Sequence, residues 1–117
     1  MAHEAKSGTV VVVNGETMGR GDDGLGAKLM ANFLRTLAVV EPRPEAIIFY
    51  NSAVKLLAPG SPCLDGLHAL DDAGVDLLAC VTCLEFFALT ERMALGHVSN
   101  MREIVQRTMS AAKVVTV

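Results

Sequence analysis

The sequence predicts an α/β fold, a three-layer α/β/α sandwich built on a mainly parallel five-stranded sheet. Three observations carry that reading. Short apolar runs alternate along the chain with segments of helical period. The connections between successive strands are long crossovers, which go with parallel pairing. The first run is apolar on both faces, as suits a central strand with helices on either side.

The elements follow in order. Thr9 to Asn14 is a β-branched run bounded by polar residues, the first strand. Gly15 to Gly26 holds five glycines in twelve residues and reads as a long loop. A helix follows from Asp23 to Val39, with Asp22 or Asp23 as its cap and Leu25, Leu29, Phe33, Leu34 and Leu37 along one face. Glu41-Pro-Arg-Pro44 stops it. Ala46 to Asn51 is the second strand, and residues 52–60 form a short helical turn ended by Pro59-Gly60. Ser61 caps a further helix with Pro62 in its first position, Leu64, Leu67 and Leu70 on its apolar side and Gly74 at its end.

Val75 to Cys80 is the third strand. Thr82 and Glu85 match a capping box, which places Thr82 at the N-cap, Cys83 in the first helical position and the helix end near Ala94. His97 to Ser99 is a short fourth strand. Asn100 and Glu103 form a second capping pattern, opening a helix to about Ala111, and Lys113 to Val117 is the last strand. Residues 1–8 are expected to be a flexible tail and residues 9–117 one domain.

Composition narrows the function. The net charge is −3 and the few basic residues are scattered, so the chain lacks the footprint of a nucleic-acid binder. No apolar run is long enough to span a bilayer. The start, MAHEAKSG, has no leader pattern, and the cysteines number three, an odd count. These features fit a cytoplasmic protein with reduced thiols.

The stretch VDLLACVTCLEFF carries the most chemistry. A thiol at the start of a helix faces unpaired N–H groups, which favour the reactive thiolate. Cys83 is therefore the candidate nucleophile, against its alternative as a small buried hydrophobe. Cys80 belongs to the strand end and reads first as core; its functional alternative is a thiol that closes a disulfide with Cys83. A zinc site would need two further ligands that Cys63 and the three histidines do not supply, so neither metal nor cofactor is expected. Cys63 reads as packing at a helix start, His3 as part of the tail, His68 as solvated and His97 as a turn residue.

The glycine-rich loop matches neither phosphate-binding fingerprint. It is expected to cover the cysteine edge or make an oligomer contact, with Arg20 countering a bound anion or simply solvated. Asn51 offers an amide to that edge or shapes the turn there. Lys55 is a nearby cation or an exposed helical residue.

TMGRGDDGLGAKLM, IIFYNSAVKLLAPGSP, VDLLACVTCLEFFAL and SNMREIVQRTMSAAKVVTV together resemble the DsrE-like domain of the YedF family, over about Thr9 to Val117. That family is sulfurtransferase-like and associated with selenium metabolism. Its Cys-Gly-Thr-Cys-Leu motif is matched here by Cys80 to Leu84, with Val81 in place of Gly. The resemblance implies a sheet order of 4-3-2-1-5 and assembly into dimers, trimers or hexamers. It further implies a cysteine persulfide on Cys83, supported by Cys80, Thr82, Asn51 and Arg20. The TusA-like domain that often precedes this one is absent from the sequence, so a sulfur-donor or acceptor protein, such as a separate TusA-like carrier, is the expected partner. The expected function is sulfur or selenium transfer; the alternative is a non-catalytic oligomeric module that binds a small ligand or a protein.

Overall fold

The structure, a computed structural model, describes residues 8–117. His3 and most of the expected tail lie outside the described residues. Five strands form one all-parallel sheet: β1 (Thr9–Val13), β2 (Ala46–Phe49), β3 (Asp76–Cys80), β4 (His97–Ser99) and β5 (Lys113–Thr116). Their order across the sheet is β4-β3-β2-β1-β5, the order the resemblance implies. Four α-helices, α1 (Asp23–Leu37), α2 (Leu64–Asp72), α3 (Val81–Phe86) and α4 (Met101–Ser110), and a 3₁₀ helix (Asn51–Leu57) complete the described residues.

The two faces of the sheet are covered unequally. Val11, Val13, Ile47, Phe49, Leu77 and Ala79 point to one face, where α1, α2 and the 3₁₀ helix bury them. Val10, Val12, Ala46, Ile48, Leu78 and Cys80 point to the other, where Ile104 of α4 is the buried helical partner. Alternation along each strand produces this division, since successive side chains take opposite faces. β1, β2 and β3 sit inside the sheet and are almost wholly buried, whereas edge strand β5 is largely exposed.

Helix α1 begins as expected, with the Leu25 N–H donating to Asp22 Oδ1 at 2.8 Å. Its buried face differs from the expected one. Gly26, Met30, Ala31 and Leu34 face the core, while Leu25 and Leu29 are exposed. Small residues let the helix sit close to its neighbours, and the leucines of its first two turns are displaced outward. A Cβ at Gly26 would stand 2.7 Å from Thr17 Cβ, and the Met18 N–H donates to the Gly26 carbonyl at 3.0 Å. The glycine-rich loop is thus anchored on the first turn of α1. At the crossing of α2 over α1, a Cβ at Gly66 would stand 2.9 Å from the Arg35 amide nitrogen. That approach requires glycine.

Helix α2 starts later than expected. Ser61 does not cap it: Ser61 Oγ accepts the Cys63 N–H at 3.1 Å, a turn bond, and the helix opens at Leu64 with Cys63 in the N-cap position. Asn51 belongs to the 3₁₀ helix rather than to the second strand.

Helix α3 corrects the sequence reading most. Thr82 is not its N-cap, because β3 runs straight into the helix. Cys80 keeps extended dihedrals and Val81 is already helical, so Cys80 occupies the N-cap and Cys83 the third helical position. The helix also stops after six residues, not near Ala94. Ala88 takes a left-handed φ of 57°, and the Leu89 N–H reaches the Leu84 carbonyl at 2.8 Å while the Ala88 N–H reaches Glu85 at 3.1 Å. This is a Schellman turn with alanine where glycine is usual. It brings Leu89 back against the core that buries Leu84. The Ala94 N–H then ties the following loop to the Leu57 carbonyl at 2.7 Å.

Candidate functional site

The carboxyl ends of β2 and β3 lie side by side, and the chain leaves each by a sharp change of conformation. After β2, Tyr50 is extended and Asn51 turns left-handed, with φ 55°. Asparagine is among the few residues that enter this region readily. Its side-chain oxygen accepts the Ser52 N–H at 2.9 Å. Its own N–H donates to Cys83 Sγ at 3.0 Å, across 32 positions of sequence. The expected amide from Asn51 is therefore a backbone N–H, and the side chain serves to hold the turn.

Cys83 is partly exposed and touches both apolar clusters, so it stands at the boundary between the two faces. Cys80 is buried in the second cluster, 2% exposed. Burial pushes the Cys83 thiol above its ordinary pKa; the Asn51 N–H pulls it down, and hydrogen bonding to the Cys80 thiol together with that thiol's charge pushes it up again. The net shift is upward. This reverses the expectation of a standing thiolate. The loss of water around the sulfur is the largest cause and outweighs the Asn51 N–H.

The remaining sequence candidates divide. Thr82 is exposed in the second helical position and caps nothing. Val81 opens the helix without a left-handed φ, so the glycine of the family motif is not required by this turn. Arg20 is exposed on the glycine-rich loop and makes no hydrogen bond or ion pair among the described residues. Cys63 is buried in the first cluster, where burial raises its thiol pKa against the opposing pull of Ser61 and Arg35. His97 is the first residue of β4, with Nδ1 3.5 Å from Asp76 Oδ1, and Arg107 holds the same carboxylate at 3.0 Å. Among the described residues no group of three His, Cys, Asp or Glu side chains is placed to hold a metal ion. Among the same residues no helix is long and apolar enough to cross a membrane.

Two features escaped the sequence. One is an open cleft of about 520 Å³ beside the cysteine edge, lined by Glu16, Lys55, Pro59, Ser61, Phe87 and Leu89 among others. Lys55 lies four residues beyond Asn51 and Phe87 four beyond Cys83, so the two segments that carry the site also contribute walls to the cleft. Lys55 Nζ sits 4.5 Å from the Phe87 ring centroid and 3.7 Å from Glu16 Oε2. The other is the buried Ser99 hydroxyl, which donates to Glu103 Oε1 at 2.5 Å beside Cys80 in the strand register. The left-handed tendency of an asparagine just after a strand was the one sequence signal pointing to this edge geometry.

No protein-family model matches the chain, and no curated protein is recognisably similar in sequence. Solved structures match it in fold. The ychN protein of E. coli superposes with a TM-score of 0.73 at 20% identity, over 93% of this chain and 97% of that one. A protein of unknown function, MTH1491 of Methanobacterium thermoautotrophicum, gives a TM-score of 0.68 at 20% identity over the same shares. BT1422 of Bacteroides thetaiotaomicron, also of unknown function, gives 0.64 at 15% identity, over 94% of this chain and 95% of that one. At such identities the likeness is one of fold, and the fold is DsrE/YchN-like.

Proposed function

We propose that this DsrE/YchN-like chain is a sulfur carrier of the YedF kind that receives a sulfane sulfur on Cys83. The observation that supports the reading is the Asn51 N–H donated to Cys83 Sγ at 3.0 Å. It fixes a partly exposed sulfur at the open edge of the sheet, where ligands of parallel α/β folds bind. In the transfer, Cys83 as thiolate attacks the terminal sulfur of a donor persulfide. A bond forms between Cys83 Sγ and that sulfur, the donor S–S bond breaks, and the donor leaves as a thiolate. A TusA-like carrier protein is a partner of suitable chemistry, either as donor or as acceptor. Selenium follows the same route.

The raised thiol pKa gives the carrier a specific character. At neutral pH the resting thiol is mostly protonated, so loading is slow until the pH rises or a docked donor changes the surroundings of the sulfur. Assembly into a homo-oligomer fits the unequal covering of the sheet. Met101, Val105 and Met109 form an exposed stripe at four-residue spacing along α4, and Val114 of β5 is exposed on the same side. Mass spectrometry after incubation with a persulfide donor tests the carrier reading. Wild type is expected to gain one sulfur and Cys83→Ser none; no gain on wild type, or an equal gain on Cys83→Ser, contradicts it.

The raised pKa and the neighbouring cleft favour a second reading, a binding module in which Cys83 is unreactive and the ligand sits against Lys55 and Phe87. It expects ligand to co-purify and Cys83→Ser to bind as wild type does.

A further inference from the structure

We infer that Cys80 is the resolving thiol of this site: it attacks a sulfur-loaded Cys83 and discharges the load as hydrosulfide, closing a Cys80–Cys83 disulfide. The inference rests on the sulfur-carrier reading and adds a release step to it.

The first ground is position. Cys80 and Cys83 hold the N-cap and the third helical position of α3. Side chains at these two positions meet, because the N-cap side chain reaches toward the third residue of the helix and the third reaches back. The molecule shows the reach at two other helix starts. Asp22 accepts the Leu25 N–H at 2.8 Å, and Asn100 accepts the Glu103 N–H at 2.9 Å. At α3 the Cys80 side chain makes no such cap bond. Its neighbour in this pattern is the Cys83 thiol, whose pKa the nearby Cys80 helps to raise.

Access is the second ground. Cys80 is 2% exposed and Cys83 is partly exposed, so a donor reaches Cys83 first. The buried thiol then approaches from the protein side, where a bulky acceptor cannot. Third, the Asn51 N–H fixes Cys83 Sγ, the atom that Cys80 must attack. Cys63 is excluded from the exchange, because it is buried in the cluster on the other face of the sheet from Cys80.

The step balances without an outside oxidant. Cys80 Sγ forms a bond to Cys83 Sγ, and the bond from Cys83 Sγ to the sulfane sulfur breaks. That sulfur takes the electron pair and the Cys80 proton and leaves as hydrosulfide. The two cysteine sulfurs are oxidised to a disulfide while the sulfane sulfur is reduced. An external dithiol reductant reopens the disulfide for another cycle.

The test uses the whole chain loaded with inorganic polysulfide, quenched by alkylation at intervals, with hydrosulfide measured alongside site-resolved peptide masses. Wild type is expected to show a transient persulfide on Cys83, then a Cys80–Cys83 disulfide with one hydrosulfide released per chain. Cys80→Ser and Cys80→Ala are expected to keep the persulfide and lose the release. Having both variants separates the missing thiol from any effect of a hydroxyl in the core. A wild-type persulfide that persists, sulfur that moves to Cys80, or equal release from the Cys80 variants overturns the inference while leaving the carrier reading intact. No persulfide on Cys83 in wild type or either Cys80 variant overturns the carrier reading, and the inference with it.

Discussion

The starts of α3 and α4 carry the same capping pattern in sequence and fold differently. Thr82-x-x-Glu85 and Asn100-x-x-Glu103 both follow a short strand. At α4, Asn100 stays extended and its side chain caps the Glu103 N–H at 2.9 Å. At α3, the last strand residue takes the N-cap itself, and Thr82 falls inside the helix with nothing to cap. One start is closed by a side-chain hydrogen bond. The other is left uncapped, and its two meeting positions hold thiols. A helix start that gives up a cap gives up about 1 kcal/mol. At α3, that position serves a sulfur pair.

Substitutions at the two helix starts separate packing from capping. If packing rather than capping holds α3, Leu84→Ala should cost about 2–5 kcal/mol by denaturant unfolding, since Leu84 is fully buried. Asn100→Ala should cost about 1 kcal/mol, the worth of an N-cap side chain. Ala88→Gly should stabilise by about 1 kcal/mol, because it relieves a left-handed alanine at the end of the same short helix. Thr82→Ala should change stability by less than about 0.5 kcal/mol. A Thr82→Ala cost equal to that of Asn100→Ala would show that both starts are capped alike.

The pH dependence sharpens the same contrast. Cys83 and Cys63 both have raised thiol pKa values in the folded chain, in each case first through burial. Folding therefore favours the neutral thiols. The stability this contributes is complete below the ordinary thiol pKa of about 8.5. It is lost as the pH rises through the raised folded values, because the unfolded chain releases its protons first. Unfolding followed across that alkaline range should show the loss in wild type and a smaller loss in Cys83→Ser. Alkylation of Cys83 in the folded chain should reach half its full rate above the ordinary thiol pKa.

Much of the fold was legible because it depends on periodicity. The runs at Thr9, Ala46 and Val75 set three central strands, and Asp22 and Asn100 announced their helices correctly. The faults lie where two local preferences compete. Leu25 and Leu29 looked like core by spacing, yet Gly26, Met30 and Ala31 take the buried face, with the small Gly26 and Ala31 allowing close packing. Thr82 had a cap signature, but the strand carried its extended backbone only as far as Cys80. At the site, Cys83 and the strand-end edge were readable. The backbone donor from Asn51 was not, because a 3.0 Å contact across 32 positions has no local signal. Nor was the raised thiol pKa, which depends on burial that only the tertiary structure sets.

The central claim is that sulfur resides on Cys83 and on no other cysteine of this chain. Peptide-resolved mass spectrometry after brief exposure to a persulfide donor at mildly alkaline pH measures it directly. A one-sulfur addition confined to Cys83 is expected at the earliest times, with Cys63 and Cys80 unmodified. A first addition on Cys63 or Cys80, or none on Cys83 while the donor is consumed elsewhere, would contradict it.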